Sequence, residues 1–209
     1  MTRLLLVRHG ETEWNSEVVY RGRANIRLSQ RGRAQAEALG MRLASEGPSR
    51  VLASPLHRAS ETAEAIGRIC GAPVSVSQGL NDIDCGDWEG LSDAEVKARY
   101  PDLRRAWHEK PHTVTLPGGE SLDDVRRRAG RVLKSVENCE AVIALVSHRV
   151  VNKVLVCILL GLDLSRFWDI RIDLAAFTTF DCTHGRRILV AHNDTAHLRA
   201  DLCPDLGDF

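Results

Sequence analysis

Short apolar runs alternating with helical stretches predict an α/β fold, a three-layer α/β/α sandwich around a mostly parallel sheet. Three runs read as strands buried on both faces: Leu4-Leu5-Leu6-Val7, Val51-Leu52-Ala53, and Ala141 to Val146. The segments between them repeat apolar residues at helical spacing. Each run also ends in residues suited to binding an anion, as an open α/β sheet would place them. The chain has 209 residues, enough for one such domain with a sizeable core; two full domains would be small.

The elements follow in order. The first strand is expected over Arg3 to Val7, and so short a run does not make a signal peptide. A helix from Ser29 to Glu46 carries Ala36, Leu39 and Leu43 on one face. The next, from Ala59 to Cys70, carries Thr62, Ala63, Ile66 and Ile69. Residues 84–119 hold the less regular structure, with Trp88, Trp107, Pro111, Pro117 and a Gly-Gly pair. They read as a lid or insertion within a single domain spanning 1–209. A helix from Ser121 to Glu137 repeats Leu122, Val125, Ala129, Val132 and Val136 at spacings of three and four. Ser121 with Asp124, and Ser92 with Glu95, resemble capping boxes. Val150 to Leu160 is apolar nearly all round, so that helix is expected to be deeply buried. Late strands are expected at Ala175 to Phe180 and Ile188 to His192, and the short acidic tail after Leu198 is expected to fray.

Composition narrows the partners. Lys+Arg and Asp+Glu both number 28, so the balanced charge argues against nucleic acid or an anionic membrane as partner. Arginine outnumbers lysine 24 to 4, and its planar fork suits phosphate or carboxylate. None of the six cysteines has C-x-x-C spacing; Cys70 and Cys157 look like small core residues, and a reduced, cytoplasmic protein is expected. No run approaches a membrane span, and no carboxylates or histidines show metal-ligand spacing, so neither metal nor cofactor is expected.

The chemistry converges at the strand ends. The first run leads into Arg8-His9-Gly10, the second into Ser54-Pro55-Leu56-His57-Arg58, and the third into Ser147-His148-Arg149. Ligands of open α/β sheets bind just beyond the carboxyl ends of the strands, so two histidines and two or three arginines would meet in one crevice. Arginine forks clamp a phosphate, and a neutral imidazole keeps a lone pair that can attack phosphorus. Gly10 would let the backbone approach the phosphate closely.

The run Leu6-Val7-Arg8-His9-Gly10-Glu11-Thr12-Glu13-Trp14-Asn15 resembles the signature of the histidine phosphatase (phosphoglycerate mutase-like) superfamily. The likeness continues through Gly22, Leu28-Ser29, Ser54 to Ala59, Gly86 to Gly90, Pro117 to Ser121 and Val146-Ser147-His148. It implies a metal-independent phosphomonoester hydrolase with His9 as the nucleophile that becomes phosphohistidine. It further implies Arg8, Arg58 and His148 as the phosphate pocket, and Asn15 as a further phosphate contact. Tyr20-Arg21-Gly22 is a loop that can touch substrate. Where the family usually has a Glu as proton donor, this chain has Leu80-Asn81-Asp82-Ile83-Asp84-Cys85-Gly86, which puts the shorter Asp82 in that place. Either the Asp82 loop sits closer, or proton transfer is less well placed, or Asp84 substitutes; Asp82 is favoured.

Other departures are Asn25 and Arg27, and Arg149 in place of a small residue. Arg149, with Asn152 and Lys153 one helical turn on, either reaches an anionic group of the substrate or pairs with a lid carboxylate. Within the superfamily the chain resembles metal-independent phosphoserine phosphatases and broad-specificity relatives, but it carries Cys85 where the phosphoserine enzymes carry a histidine. The substrate implied is a small anionic phosphorylated metabolite, phosphoserine or a phosphoglycerate-type compound, and a homodimer through a sheet edge or the Trp168 region is also implied. The alternatives are a phosphoglycerate mutase and a non-catalytic phosphate-binding protein.

Overall fold

The computed structural model describes residues 1–15 and 19–203. Among them, six strands form one sheet in the order β3-β2-β4-β1-β5-β6. Strands β1 (Thr2–Arg8), β2 (Arg50–Ala53), β3 (Val74–Val76) and β4 (Val142–Ser147) run parallel. Beyond β1, β5 (Phe177–Thr183) pairs antiparallel to β1, and β6 (Arg186–Asp194) pairs antiparallel to β5. The α/β class and the mostly parallel sheet are therefore as expected.

Alternation along β1 builds the three layers. Successive strand residues point to opposite faces. Leu5 and Val7 enter one core with Leu39 and Leu43 of α1 (Gln30–Ala44) and Ala63 and Ile66 of α2 (His57–Cys70). Leu4 and Leu6 enter the other with Val125 and Ala129 of α5 (Leu122–Val136) and Val151 and Val154 of α6 (Arg149–Leu160). Helix α6 is deeply buried along nine of its residues.

Register sets the position of the site. Arg8 lies opposite Ser147, and Ala53 opposite Val146. The chain thus leaves β1, β2 and β4 from one level edge, carrying His9, Ser54 and His148 outward together.

Three expectations need correction. Residues 84–119 contain two helices, α3 (Asp93–Arg99) and α4 (Pro101–Glu109). The Ser92/Glu95 capping box starts the first, and Pro101 in the first turn starts the second. Trp88, Trp107, Val114 and Leu116 from this segment pack into the same core as Leu4 and Leu6. The tail is held down as far as residue 203: Leu198 is buried, and Gln35 Nε2 and Arg31 donate to the Leu202 and Cys203 carbonyls. The expected fraying beyond that lies outside the described residues. Cys157 is a core residue, but Cys70 is only half-buried, its thiol directed at the Gly40 carbonyl. All six thiols are free, and no helix among the described residues is long and apolar enough to cross a membrane.

Two glycines set α1 against the chain that follows β1. A Cβ on Gly32 would stand 2.0 Å from the Glu11 carbonyl oxygen, and one on Gly10 would stand 2.5 Å from the Gly32 oxygen. Backbone cannot yield as a flexible side chain can. Gly32→Ala is therefore expected to destabilise the fold by about 1–3 kcal/mol, read as a lower urea midpoint. An unchanged midpoint would show that this contact gives way freely.

Candidate active site

His9 is fixed from both sides as it leaves β1. Its amide donates to the Ser147 carbonyl at 3.1 Å, and its carbonyl accepts from Ala175 N at 3.1 Å. The ring is buried, with Nδ1 2.7 Å from the Gly10 carbonyl oxygen. A carbonyl only accepts, so Nδ1 carries the proton and Nε2 keeps its lone pair. Burial, then the neighbouring Arg58, His148 and Arg8, hold His9 well below the ordinary histidine pKa. The ring is neutral near pH 7, as a nucleophile must be.

Arg58 opens α2 and is fully buried. Its Nε donates to His148 Nδ1 at 3.2 Å, and Nη1 donates to the Ala24 carbonyl at 2.7 Å. Its Nη2 donates to the Gly22 carbonyl at 2.9 Å and to Asp82 Oδ2 at 3.1 Å. Because His148 Nδ1 accepts, its proton lies on Nε2, which donates to Ser54 Oγ at 2.8 Å. Burial, then Arg58, Arg128 and Arg8, keep His148 well below its ordinary pKa. The His9 and His148 rings lie 5.2 Å apart.

A cavity of about 350 Å³ opens over this group. Arg8, His9, Arg58 and Asp82, which we call its floor, line it together with Tyr20, Arg21, Gly22, Cys85, Asp93, Arg104, His108, Arg149 and Trp168. Arg8 is anchored by Nη1 donating to the Ile172 carbonyl at 2.8 Å. Arg104 grips Asp93 through two bonds of 2.9 and 2.7 Å, and Tyr20 Oη donates to the same carboxylate at 3.3 Å. His108 stacks flat on Trp168, ring to ring at 5.5 Å. Arg149 and Val150, at the N-terminus of α6 after its uncapped N-cap His148, line the same cavity, and helix N-termini favour anions.

The sequence-derived candidates divide accordingly. Arg8, His9, Arg58, Asp82, Arg21, Gly22 and Arg149 reach the cavity wall. His148 stands behind the wall, with both ring nitrogens engaged by Arg58 and Ser54. Asn15 is not on the wall, because its Oδ1 folds back to accept from Thr12 N at 2.7 Å and Thr12 Oγ1 at 2.8 Å. Asn152 and Lys153 do not reach the wall either: Asn152 is fully buried, and the Lys153 ammonium lies 4.4 Å from the centre of the Trp168 ring. Arg149 lies over the same ring, 5.9 Å from its centre. Of the two acids, Asp82 faces Arg58 and His148, whereas Asp84 pairs with Arg23 at 3.0 Å and accepts from Gly86 N. Asn25 accepts from His57 N at the first turn of α2, and Arg27 pairs with Glu61 away from the floor. The close approach that Gly10 permits in this structure is to Gly32 of α1.

A family model for the histidine phosphatase superfamily (branch 1) matches residues 4–195. The chain belongs to that superfamily. It is a phosphoric monoester hydrolase. Phosphoserine phosphatase 1 of Hydrogenobacter thermophilus is 36% identical over 200 residues, covering 95% of each chain. Among solved structures, Bacillus stearothermophilus YhfR superposes with a TM-score of 0.88 at 29% identity, covering 94% of this chain and 99% of the other. A mycobacterial glucosyl-3-phosphoglycerate phosphatase superposes with a TM-score of 0.85 at 30% identity, covering 92% and 99%.

The structure also shows a residue that sequence reasoning misses. Arg128, paired with Glu120, holds the loop that carries Asp82. No local pattern announces Arg128, because its partners lie far away in the chain. Among the described residues no group of three His, Cys, Asp or Glu side chains is arranged to hold a metal ion.

Keeping two histidines neutral has a cost in acid. Their folded-state pKa values lie well below the ordinary 6.5, so below about pH 6.5 the unfolded chain binds more protons and stability falls with pH. The loss approaches about 1.4 kcal/mol per pH unit for each such histidine. Urea midpoints measured from about pH 7.5 down to about pH 5.5 should drop, and His148→Asn should flatten the slope. A midpoint independent of pH over that window would contradict neutral burial.

Proposed function

We propose that the chain hydrolyses a small phosphomonoester with an anionic leaving group, by way of a phosphohistidine on His9. The observation that carries this is the buried, neutral His9, its Nδ1–H fixed on Gly10 and its Nε2 left to attack between Arg8 and Arg58. In the first step the Nε2–P bond forms and the ester P–O bond breaks. The leaving oxygen takes its proton from Asp82, the carboxyl nearest the floor. In the second step Asp82 takes a proton from water as that water's oxygen bonds to phosphorus, the N–P bond breaks and orthophosphate leaves. Arg8 and Arg58 stabilise the charge on the equatorial oxygens. His148, held by Ser54, keeps the Arg58 fork in its plane.

Charge supports the substrate class. Among the described residues lining the cavity, five arginines face two aspartates, a net of three positive charges. A phosphate dianion neutralises two of them, and the remaining charge suits a carboxylate on the leaving group. Both relatives named above for a substrate act on phosphates joined to a carboxylic acid, phosphoserine and glucosyl-3-phosphoglycerate. The cavity lies at the small end of ligand sites, which favours a compact metabolite. Buried Cys85, its thiol pushed up by desolvation, is uncharged on that wall. Six free thiols fit a reduced cytoplasm.

Orthophosphate release from phosphoserine, phosphoglycerates, sugar phosphates and nucleotides should favour the carboxylate-bearing esters, and His9→Ala should abolish acid-labile labelling by phosphate. A preference for neutral leaving groups would overturn the substrate class. Asp82→Asn should slow phenyl phosphate by about 10²–10⁴-fold while sparing p-nitrophenyl phosphate, whose leaving group needs little protonation. Equal losses on both esters would remove Asp82 as the acid. Activity should persist in EDTA and fall with vanadate; loss in EDTA restored by Mg²⁺ would require a metal-dependent mechanism.

A further inference from the structure

We infer that Arg128 is a positioning residue for proton transfer, holding the loop that presents Asp82 to the leaving oxygen. The inference rests on Asp82 being the proton donor proposed above.

Arg128 lies on α5 and is absent from the cavity wall. Its Nη1 donates to the Gly79 carbonyl at 3.0 Å and to the Asn81 carbonyl, and its Nη2 donates to the Asp82 carbonyl at 2.9 Å. Its Nε and Nη2 each donate to Glu120 at 3.0 Å. A guanidinium has five N–H donors, and these five bonds engage them all. The carbonyl between, Leu80, accepts from Ser147 Oγ at 2.7 Å. Four successive carbonyls, 79–82, thus rest on two side chains. Glu120 extends the grip: its Oε2 accepts from Asp84 N at 3.0 Å, and its own amide donates to the Asp84 carbonyl at 3.0 Å. The loop is therefore held on both sides of Asp82 by one ion pair.

An aspartate has one fewer rotatable bond than a glutamate, so its reach is set largely by its backbone. A displacement of about 1 Å at a catalytic group can cost about 10²-fold in rate. Lysine cannot replace the clamp, because a compact ammonium lacks the planar fork that spans three carbonyls and a carboxylate.

The test compares Arg128→Lys in the wild-type and Asp82→Asn backgrounds, using phenyl phosphate and p-nitrophenyl phosphate. Arg128→Lys should lower kcat on phenyl phosphate by about 10- to 100-fold with KM nearly unchanged, and should change p-nitrophenyl phosphate less than about threefold. Combined with Asp82→Asn it should cost nothing further. Equal losses on the two esters, or losses that multiply in the double variant, would overturn the positioning role. If Asp82→Asn alone slows both esters equally, the proton-donor assignment fails first, and that outcome is visible without any Arg128 variant. Should Arg128→Lys not fold, as judged by near-ultraviolet circular dichroism, Glu120→Gln releases one side of the clamp and must show the same leaving-group dependence.

Discussion

A guanidinium buried to zero exposure must be hydrogen-bonded on every side, and the site is organised around that demand at Arg58. To meet it the fold brings together four acceptors from three separate segments: the Gly22 and Ala24 carbonyls, the Asp82 carboxylate and His148 Nδ1. Each contact has a consequence for chemistry. Taking the Nδ1 lone pair fixes the His148 tautomer and so its bond to Ser54. Drawing in Asp82 sets a carboxyl group on the cavity wall beside Arg58. The charge itself, second only to burial, keeps His9 neutral. One cation thus specifies the protonation of two histidines and the place of one acid.

Much of this is legible in the chain, and the reason is geometric. Arg8, His9 and His148 directly follow apolar runs, and Arg58 opens the helix after another, so strand register alone brings them together. The direction of each ring nitrogen is not legible, because it depends on donors from other elements. Strand β3 escapes detection for a different reason: Val74-Ser75-Val76 is an exposed edge strand with no apolar run. Helices α3 and α4 are short and charged, and only a capping box and a proline mark their starts. Arg126, Arg127 and Arg128 stand in a row and read alike. The first two pair with Asp123 and Asp124 on their own helix, whereas the third reaches a loop 46 residues back in the chain.

The whole chain is electrically balanced while its cavity is not, and that contrast explains how a neutral protein selects anions. Arg8 and Arg58 repel each other across the floor, and Arg8 is among the charges that pull Arg58 down from its ordinary pKa after burial. Removing water from such a cluster strengthens the repulsion, since the effective dielectric constant falls. A bound phosphate dianion lowers the energy of the cluster on arrival. The interaction strengthens further in the transition state, where the equatorial oxygens carry the charge that the forks face. The repulsion is tolerable in the empty protein because backbone carbonyls, at Gly22, Ala24 and Ile172, take part of each positive charge. Those carbonyls hold the forks in place. Arg104 is already neutralised by Asp93. Arg21 and Arg149 line the same cavity, Arg21 donating to the Trp14 carbonyl and Arg149 lying over the Trp168 ring, while Cys85 contributes bulk but no charge.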